Sequence, residues 1–519
     1  MLLTLVTFLP IFFALILWFT PSERHIRIAA LIMSIIEFLV SLLLLVKFDS
    51  TTAALQFVEK VPWVESLGIS YFMALDGISL WLVMLTTFLT PLVILGSWTA
   101  ISKKVKGFHV CIMFLQSTMI GTFLAFDSVL FYVFFEASLI PMYYMVGIWG
   151  GSRRIYASMK FFIYTMFGSV LMLLAIISMM YMTKDINNGH LSASLLDFYK
   201  LDIPFVAGTF LSTQTMLFFA FSLAFAIKVP VFPFHTWLPD AHVEAPTPGS
   251  VILAGVMLKM GTYGFLRFAI PMFPEAAEYW SWVFFIFGVV GILYGALVAM
   301  VQPDIKKLVA YSSVSHMGYI MLGMFAFNVQ GISGGLYQML NHGVSTGALF
   351  LLVGMIYEKT HSREISQYGG LAPAAPIFTI FFIIVTLSSI AVPMTNGFVG
   401  EYLILLGTFL AQKGYVYFAV LGVVLAAAYM LWMVKRVFFG PAGQIVNEWS
   451  EKGKSLDIGL REVVVLVPFV VLIFWMGIFP GHFLDLTKAS IDHLAKSNGH
   501  YQLTIQTTEK NKVYANLEK

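Results

Sequence analysis

Apolar stretches of about twenty residues alternate with short polar or Gly/Pro-rich connections along most of the chain. A helix of that length is long enough to cross the hydrocarbon core of a bilayer, which is about 30 Å thick. The stretches lack the ten-residue alternation that is typical of a transmembrane β-barrel. The pattern therefore predicts an all-α polytopic membrane protein with about fourteen transmembrane helices, at residues 2–20, 26–47, 77–99, 108–126, 128–149, 156–182, 210–238, 247–271, 279–301, 305–327, 332–357, 374–411, 415–439 and 460–480.

Lysine and arginine are concentrated in the alternate connections 1–2, 3–4, 5–6, 9–10, 11–12 and 13–14 between these predicted helices. Cytoplasmic loops of membrane proteins carry such an excess of cations, so these connections are predicted to face the cytoplasm. Both termini then lie on the outer side, and the polar tail from about residue 483 is expected to be a surface appendage. The cations on which this orientation depends are Arg24, Arg27, Lys103, Lys104, Lys106, Arg153, Arg154, Lys306, Lys307, Lys359, Arg363, Lys435, Arg436, Lys452 and Lys454.

The composition agrees with a membrane protein and excludes other classes. Of the 519 residues, 59% are hydrophobic and 11% are charged, whereas an ordinary soluble domain has roughly 25% charged residues. The net charge of +3 is small and dispersed, so no nucleic-acid partner is expected. Cys111 is the only cysteine, which rules out a disulfide or an iron–sulfur cluster within this chain. Any redox cofactor is therefore expected in another chain.

The seventh predicted helix contains a cation followed by two helix breakers. Lys228 lies in the apolar run FAIKVPVFPFHTW, just before Pro230 and Pro233. Proline removes a backbone donor and clashes with the preceding turn, so free carbonyl groups are expected at membrane depth. Such a broken helix is tolerated only where it lines a hydrated cavity or is packed in protein. The pattern indicates an ion pathway at Lys228.

A second interruption resembles the first. The run TMLFFAFSLAFAIKVP at 215–230 aligns with FTIFFIIVTLSSIAVP at 378–393, and Glu401 follows the second break. By the topology above the two helices run in opposite directions, as in inverted repeats whose broken helices form ion sites. The sequence predicts two inverted five-helix repeats, helices 4–8 and 9–13. The predicted organisation is three N-terminal helices at 1–106, the first repeat at 107–271, the second at 279–439, helix 14 at 440–482 and the tail at 483–519.

Further ionisable residues fall inside predicted helices. A charge at the bilayer centre costs roughly 2.5–3.5 kcal/mol on insertion scales, so such residues usually mark a pathway. Glu136 and Lys259 lie roughly 12–20 Å into their helices, near the midplane. His316 and His342 can also carry protons. The alternative for Glu136 and Lys228 is a purely structural ion pair, and the alternative for His316 and His342 is a packing role with hydrogen bonds. No metal site is expected at the histidines, because neither has a partner ligand at the spacing that zinc requires.

The segment HTWLPDAHVEAPTPGS at 235–250 is rich in prolines that disfavour helix, and we expect a loop there. This loop either shapes the return of the chain into the eighth helix or guides protons from the cytoplasm. The titratable side chains that would serve the second role are His235, Asp240, His242 and Glu244.

Several of these motifs together resemble a known family, the antiporter-like membrane subunits of NADH:quinone oxidoreductase, or respiratory complex I. The resemblance extends from the first helix to about residue 480. It is strongest in FAIKVPVFPFHTWLPDAHVEAPTPGSVILAGVMLKMGTYGFLRF, QPDIKKLVAYSSVSHMGYI, NHGVSTGALFLLVGMIYEKTHSR and NGFVGEYLILLGTF.

The resemblance implies a role for each candidate site residue. Glu136 is similar to the fifth-helix glutamate that pairs with the broken-helix lysine, here Lys228, and Lys259 is similar to the central eighth-helix lysine. His316 and His342 match histidines of the central polar axis, and Glu401 matches the residue of the exit half-channel. In the subunits L and N of that family the last position is typically lysine, so Glu401 distinguishes this chain from them. Glu37 and the tail receive no role.

The sequence therefore predicts a proton-translocating subunit of a bacterial inner-membrane complex. Protons would move from Lys228 through Lys259, past the two histidines, to Glu401. The resemblance implies neighbouring subunits L and N as partners within the bilayer, and NADH, FMN, iron–sulfur clusters and quinone in other subunits. The alternatives are a subunit of a multi-subunit Na⁺/H⁺ antiporter or of a membrane-bound hydrogenase or ferredoxin-dependent relative, and a structural spacer between pumping subunits.

Overall fold

The computed structural model of the protein describes residues 1–453, 455–497 and 501–506, and these are mostly helical. Within these ranges, eleven helices are long and apolar enough to cross a membrane. The seventh and twelfth predicted helices are each divided into two shorter ones, and Ile305–Met324 occupies the tenth. The predicted all-α polytopic fold is confirmed. The total of fourteen spans and the inverted relation of the repeats stay predictions.

The N-terminal part contains three long helices and a β-hairpin that the hydropathy pattern does not predict. The two strands pair antiparallel with Val61 opposite Tyr71, and a 3₁₀ turn at Glu65–Leu67 joins them. The hairpin leads directly into the third helix, whose N-terminus is capped by Asp76. The elements are α1 (Leu2–Phe19), α2 (Glu23–Lys47), β1 (Gln56–Val64), β2 (Ile69–Leu75) and α3 (Gly77–Gly96).

The next part contains the first broken helix and the first of two fully buried spans. Thr247–Met272 is one continuous span whose α-helical pieces are joined by the π-helical segments Leu253–Met257 and Phe265–Ala269. The elements are α4 (Val105–Leu124), α5 (Ser128–Ala137), α6 (Leu139–Trp149), α7 (Arg154–Met182), α8 (Leu195–Phe198), α9 (Thr213–Lys228), α10 (Trp237–Glu244), α11 (Thr247–Ile252), α12 (Leu258–Gly264) and α13 (Ile270–Met272).

The following part contains the second broken helix and the second span whose apolar stretch is fully buried, within α17. This long helix packs against helices from both halves of the chain, including α3, α11, α16, α19 and α20. The elements are α14 (Pro274–Tyr279), α15 (Ser281–Met300), α16 (Ile305–Met324), α17 (Val329–Thr360), α18 (Leu371–Ala374), α19 (Pro376–Ser389), α20 (Asn396–Ala411), α21 (Lys413–Phe438), α22 (Gln444–Glu451), α23 (Leu460–Ile478) and α24 (Gly481–Lys496).

Two expectations about connecting segments were wrong. The loop expected at 235–250 contains the helix α10, because Pro239 falls in its first turn, where a missing backbone N–H has no helical partner to lose. The tail expected to be a surface appendage from 483 onward begins within an amphipathic helix, α24, that ends at Lys496 and packs on α3 and α17 through its apolar face. Residues 498–500 and 507–519 of that tail lie outside the described residues.

Candidate functional site

Lys228 is the last residue of α9 and is 1% exposed. Its Nζ donates to Ser138 Oγ at 3.3 Å and lies 4.6 Å from the centre of the Phe135 ring. The interruption frees the carbonyl of Ile227, which accepts a hydrogen bond of 2.9 Å from Trp237 Nε1 on α10. The structure therefore places a buried lysine at the break in the helix. The carbonyl group freed beside it is hydrogen-bonded by a tryptophan side chain, as a broken membrane helix requires.

Glu136 lies one residue before the end of α5 and faces the same region. The chain bends here, because α5 ends at Ala137 and α6 begins at Leu139, with Ser138 between them. Glu136 Oε1 is buried and has no hydrogen-bond partner within the described part of the chain. Among the described residues, no ion pair of 4.0 Å or less joins Glu136 to Lys228. The two residues share a neighbourhood, with Ser138 in contact with the lysine in place of the carboxylate.

Lys259 lies at the centre of the first fully buried span, between its two π-helical segments. Its Nζ is 2.5 Å from Ala254 O and 2.7 Å from His342 Nδ1 of α17. A π-helical turn is wider than an α-helical one and is frequently found at functional sites. Here the irregular turn places a backbone acceptor beside the ammonium group, so Lys259 is held by one carbonyl and one imidazole.

The histidines and Glu401 continue from Lys259 in one row. The ring centres of His342 and His316 are 5.8 Å apart. His316 Nδ1 of α16 lies within ion-pair distance, 3.3 Å, of Glu401 Oε1 of α20. All of these side chains are buried. The structure thus brings four of the six predicted site residues together, across α12, α17, α16 and α20.

A polar stripe on α17 lines this row and was missed by the sequence interpretation. Gln338, Asn341, His342 and Ser345 follow the i, i+3, i+4, i+7 spacing of one helix face. Gln338 Nε2 donates to Glu401 Oε1 at 3.2 Å. A small cavity of about 10 Å³, close to the space that one water molecule needs, is lined by His316, Gln338, Asn341, His342, Ser345, Thr346, Ser388, Ser389 and Gly397. Helical spacing alone could have identified the stripe.

Lys228 and Lys259 lie on helices that touch. A Cβ placed on Gly261 of α12 would come within 2.8 Å of Phe225 O and 2.7 Å of Val229 Cγ2, so only glycine permits this approach of α9. Within the described residues, no hydrogen bond connects the two lysines. The site therefore has two parts: the pair Glu136 and Lys228, and the row from Lys259 to Glu401.

The four titratable residues proposed for proton uptake have different immediate neighbours. Asp240 accepts from Lys160 Nζ at 2.7 Å, and Glu244 Oε2 accepts from the backbone N–H of Arg153 at 2.8 Å. His235 packs against aromatic rings, at 5.1 Å from Tyr294. His242 is fully buried and stacks on a phenylalanine ring of α17.

Lys306 does not behave as the loop cation that the sequence interpretation assumed. It lies in the first turn of α16, is buried, and donates from Nζ to Ala245 O at 2.5 Å. Together with Glu244, Tyr357 and Arg363 it lines a cavity of about 370 Å³. In the orientation predicted from the loop cations, this cavity would lie at the cytoplasmic ends of the helices. Across the described residues, no cluster of three or more His, Cys, Asp and Glu side chains is suited to hold a metal ion.

Two family models together cover most of the chain. Residues 125–427 match the family model described as NADH:quinone oxidoreductase/Mrp antiporter, TM, and residues 2–122 match the amino terminus of NADH-ubiquinone oxidoreductase chain 4. The chain is 47% identical to NADH-quinone oxidoreductase subunit M of Rhodobacter capsulatus, over 96% of each chain. It is 42% identical to NADH-ubiquinone oxidoreductase chain 4 of Arabidopsis thaliana, over 94% of this chain and 95% of that one.

Solved structures show the same fold. A chain of respiratory complex I from Thermus thermophilus superposes with a TM-score of 0.83 at 31% identity, over 95% of this chain and all of the other. A chain of the Mrp complex from Dietzia sp. superposes with a TM-score of 0.80 at 19% identity, over 96% and 98% of the two chains, which shows a common fold. The resemblance noted from the sequence motifs is confirmed: the chain belongs to the subunit M family of the NADH-quinone oxidoreductases, the antiporter-like membrane subunits of respiratory complex I.

Proposed function

We propose that this chain moves protons across the membrane as a subunit of NADH:quinone oxidoreductase, through the groups described above. The observation that carries the proposal is the buried row Lys259, His342, His316 and Glu401, in which each side chain can bind and release a proton. Placing such groups at membrane depth is costly and is usually linked to function. A purely packed core has no need of them.

The row suits proton transfer because its members are close and differ in charge type. An ammonium group at one end and a carboxylate at the other are bridged by two imidazoles, each of which can accept a proton on one nitrogen while releasing one from the other. The small polar cavity beside the histidines offers room for about one water molecule. A proton leaving Lys259 therefore has a continuous set of acceptors as far as Glu401.

Glu136 and Lys228 would regulate the loading of this row. Two opposite charges about 4 Å apart attract by about 4 kcal/mol at an effective dielectric constant of 20. Closing the pair would stabilise the protonated lysine by an amount of that order, and opening it would favour release of the proton toward Lys259. Among the described residues no ion pair of 4.0 Å or less joins them, so the proposed closing step would bring the carboxylate of Glu136 onto Lys228 in place of Ser138.

The cavity beside Lys306 and Glu244 would supply protons from the cytoplasmic side. This role fits its place at the cation-rich ends of the helices, with Glu401 on the route to the outer side. The proposed location is a bacterial inner membrane with both termini outside, and the proposed neighbours are the antiporter-like subunits L and N. The chain would work as a non-redox subunit, with NADH, FMN, iron–sulfur clusters and quinone bound by other subunits.

The test uses the whole complex reconstituted in vesicles, with proton pumping measured per NADH oxidised. Lys228→Ala and Glu136→Gln are expected to lower this ratio, and Lys413→Ala, which changes an exposed lysine, is expected to leave it unchanged. Full pumping in both site variants would contradict the proposed switch. Full pumping in Lys259→Ala would instead support a structural spacer and overturn the proposed route.

A further inference from the structure

Glu37 is a buried carboxyl group that the proposed proton route does not use. It lies on α2, outside both predicted repeats, and is 1% exposed. Neither of its carboxylate oxygens has a hydrogen-bond partner or an ion-pair partner within the described ranges. A buried polar group without a partner is uncommon and calls for an explanation.

The carboxyl group points into the protein from a peripheral helix. One face of α2 is open to the surroundings, with Ile35 42% and Leu39 56% exposed. The opposite face forms a narrow buried stripe of mostly small or polar residues, which consists of Ile26, Ala30, Ser34, Glu37, Ser41 and Leu44. Glu37 is thus the one acidic residue on the face by which α2 packs against α1, α3 and α4.

The neighbouring helices offer no cation at this depth. α1 and α3 contain no titratable residue, and α4 contains only Lys106, His109 and Cys111. Lys106 Nζ donates to the carbonyl of Trp18 near the end of α1, and His109 Nδ1 is bonded to the backbone of its own helix. The ionisable residues of α2 itself lie near its ends: Glu23, Arg24, His25, Arg27 and Lys47. The closest of these, Arg27 and Lys47, are each ten residues away along α2, roughly 15 Å from Glu37 at 1.5 Å per residue.

The hydroxyl groups near Glu37 already donate hydrogen bonds to backbone carbonyl groups. Ser34 Oγ donates to Leu31 O at 2.8 Å, and Ser41 Oγ donates to Phe38 O at 2.7 Å. Thr87 Oγ1 of α3 donates to Met84 O at 3.1 Å and lies 2.8 Å from Ser41 Oγ. What remains on these groups is acceptor capacity, and an ionised carboxylate is itself only an acceptor.

One backbone feature of α3 adds to this surplus of acceptors. Pro91 of α3 has no N–H, so the carbonyl of Thr87 lacks its ordinary helical donor. Gln116 of α4 is fully buried, and neither atom of its side-chain amide has a partner among the described residues. This amide offers a donor group as well as an acceptor, so it does not change the balance, and no hydrogen bond joins it to Glu37 in the described part of the chain. The environment favours a group that brings a proton of its own.

We propose that Glu37 binds a proton and holds it as a neutral carboxylic acid between α2, α3 and α4. This is a proton-binding site in the N-terminal helices, separate from the Lys228-to-Glu401 route. The chemistry that selects the ligand is the surplus of acceptors and the lack of any cation at membrane depth. The proposal does not depend on the proton route, because no residue of that route contributes to it.

The test is infrared difference spectroscopy of the purified complex, which separates the C=O stretch of a protonated carboxylic acid from the stretches of a carboxylate. We expect the spectrum of the native complex minus that of Glu37→Gln to show a protonated-acid band at neutral pH, and Glu37→Asp to shift this band rather than abolish it. Glu23→Gln, at the polar end of α2, is the matched control and should lack this band in its difference spectrum.

Three results would overturn the proposal. The first is carboxylate stretches, without a protonated-acid band, in the Glu37→Gln difference spectrum. The second is a native spectrum that Glu37→Asp leaves unchanged in the protonated-acid region, a comparison that holds even if the glutamine variant fails to assemble. The third is replacement of the acid band by carboxylate bands when sodium, but not potassium, is added, which would identify a sodium site instead.

Discussion

Lys259 Nζ lies 2.7 Å from His342 Nδ1, at the contact of the two fully buried spans. An ammonium group has only donors, so beside a protonated Lys259 this Nδ1 accepts and the ring proton of a neutral His342 lies on Nε2; toward Ala254 O, 3.2 Å away, the same Nδ1 would donate instead. Nε2 has no partner within the described residues, and His342 lines the small polar cavity beside His316. In the proposed route, a proton taken from Lys259 on one side of the ring would leave from the other side.

Replacing His342 should interrupt this relay. We expect His342→Ala to slow proton transfer past Lys259 by roughly a hundredfold, the lower end of the range for a positioned proton-transfer group. The measurement is the initial rate of proton pumping in vesicles containing the reconstituted complex, compared with NADH oxidation. His190→Ala changes an exposed histidine in the connection after α7 and should pump normally. Equal pumping in both variants would show that His342 only packs.

Glu401 should be needed as a carboxylate and not only for its shape. Glu401→Gln keeps the size of the side chain and a hydrogen-bond partner for Gln338, but it removes the charge that lies 3.3 Å from His316 Nδ1. We expect proton release on the outer side to fall at least tenfold, as measured with a pH-sensitive dye on that side. The exposed Glu364→Gln is the control. Normal release in Glu401→Gln would exclude an essential charge at this position.

The sequence predicted the positions of the helices and of the buried charges because both depend on local patterns. Hydropathy located the spans, and a charge inside an apolar run is visible without a structure. The neighbours of each charge depend on helix packing, which no local pattern contains. The contact of Lys228 with Ser138 in place of Glu136 is an example, as is the burial of Lys306.

The amphipathic pattern of α24 was available in the sequence but was outweighed by its polar composition. Residues buried at helical spacing, such as Phe483, Ile491 and Leu494, alternate with charged ones, and hydropathy averaged over the segment hides them. The β-hairpin before α3 was missed for a related reason: its strands have only 9 and 7 residues, and a search for apolar stretches of about twenty residues does not detect them.

Gly261 should be required where α12 meets α9. A Cβ at this position would come within 3.0 Å of the backbone of α9, at Phe225 O and Val229 N, so the helices would have to separate. We expect Gly261→Ala to destabilise the protein by about 1–3 kcal/mol, as overpacking usually does. The measurement is the midpoint of thermal inactivation of the complex. Gly414→Ala is the control, since nothing lies within 4 Å of its added Cβ; a similar loss in both variants would contradict the steric explanation.

Asp197, in the connection between α7 and α9, should make stability depend on pH. Burial alone would raise its pKa, but hydrogen bonds from Ser192 and Lys200 outweigh this and hold the pKa below its ordinary value. The carboxylate of Asp197 therefore contributes its full stabilisation at pH values above its pKa in the unfolded chain, which is about 4. This contribution is lost as the pH falls through the lower pKa of the folded protein. We expect Asp197→Asn to cost about 1 kcal/mol at neutral pH.

The measurement for Asp197 is the difference in thermal midpoint between Asp197→Asn and the native complex over a pH series. This difference should shrink as the solution becomes more acidic than about pH 4. The control is Asp185→Asn, in the same connection. Its thermal midpoint should differ little from that of the native complex at every pH of the series. A difference for Asp197→Asn that grows with acidity would show that the carboxylate is not stabilised by its neighbours.

The helix α24 should contribute to stability through its buried face. Phe483 packs on Trp81 of α3 with ring centres 4.7 Å apart, and Ser490 Oγ accepts a hydrogen bond from the backbone N–H of Gly77 at 3.0 Å. Ile491 is fully buried on the same face, so Ile491→Ala should cost about 2–5 kcal/mol, the range for deleting a large aliphatic side chain from a core. The exposed Lys488→Ala should change stability by less than about 0.5 kcal/mol. Equal thermal midpoints for the two variants would mean that α24 is attached only loosely, as a surface appendage would be.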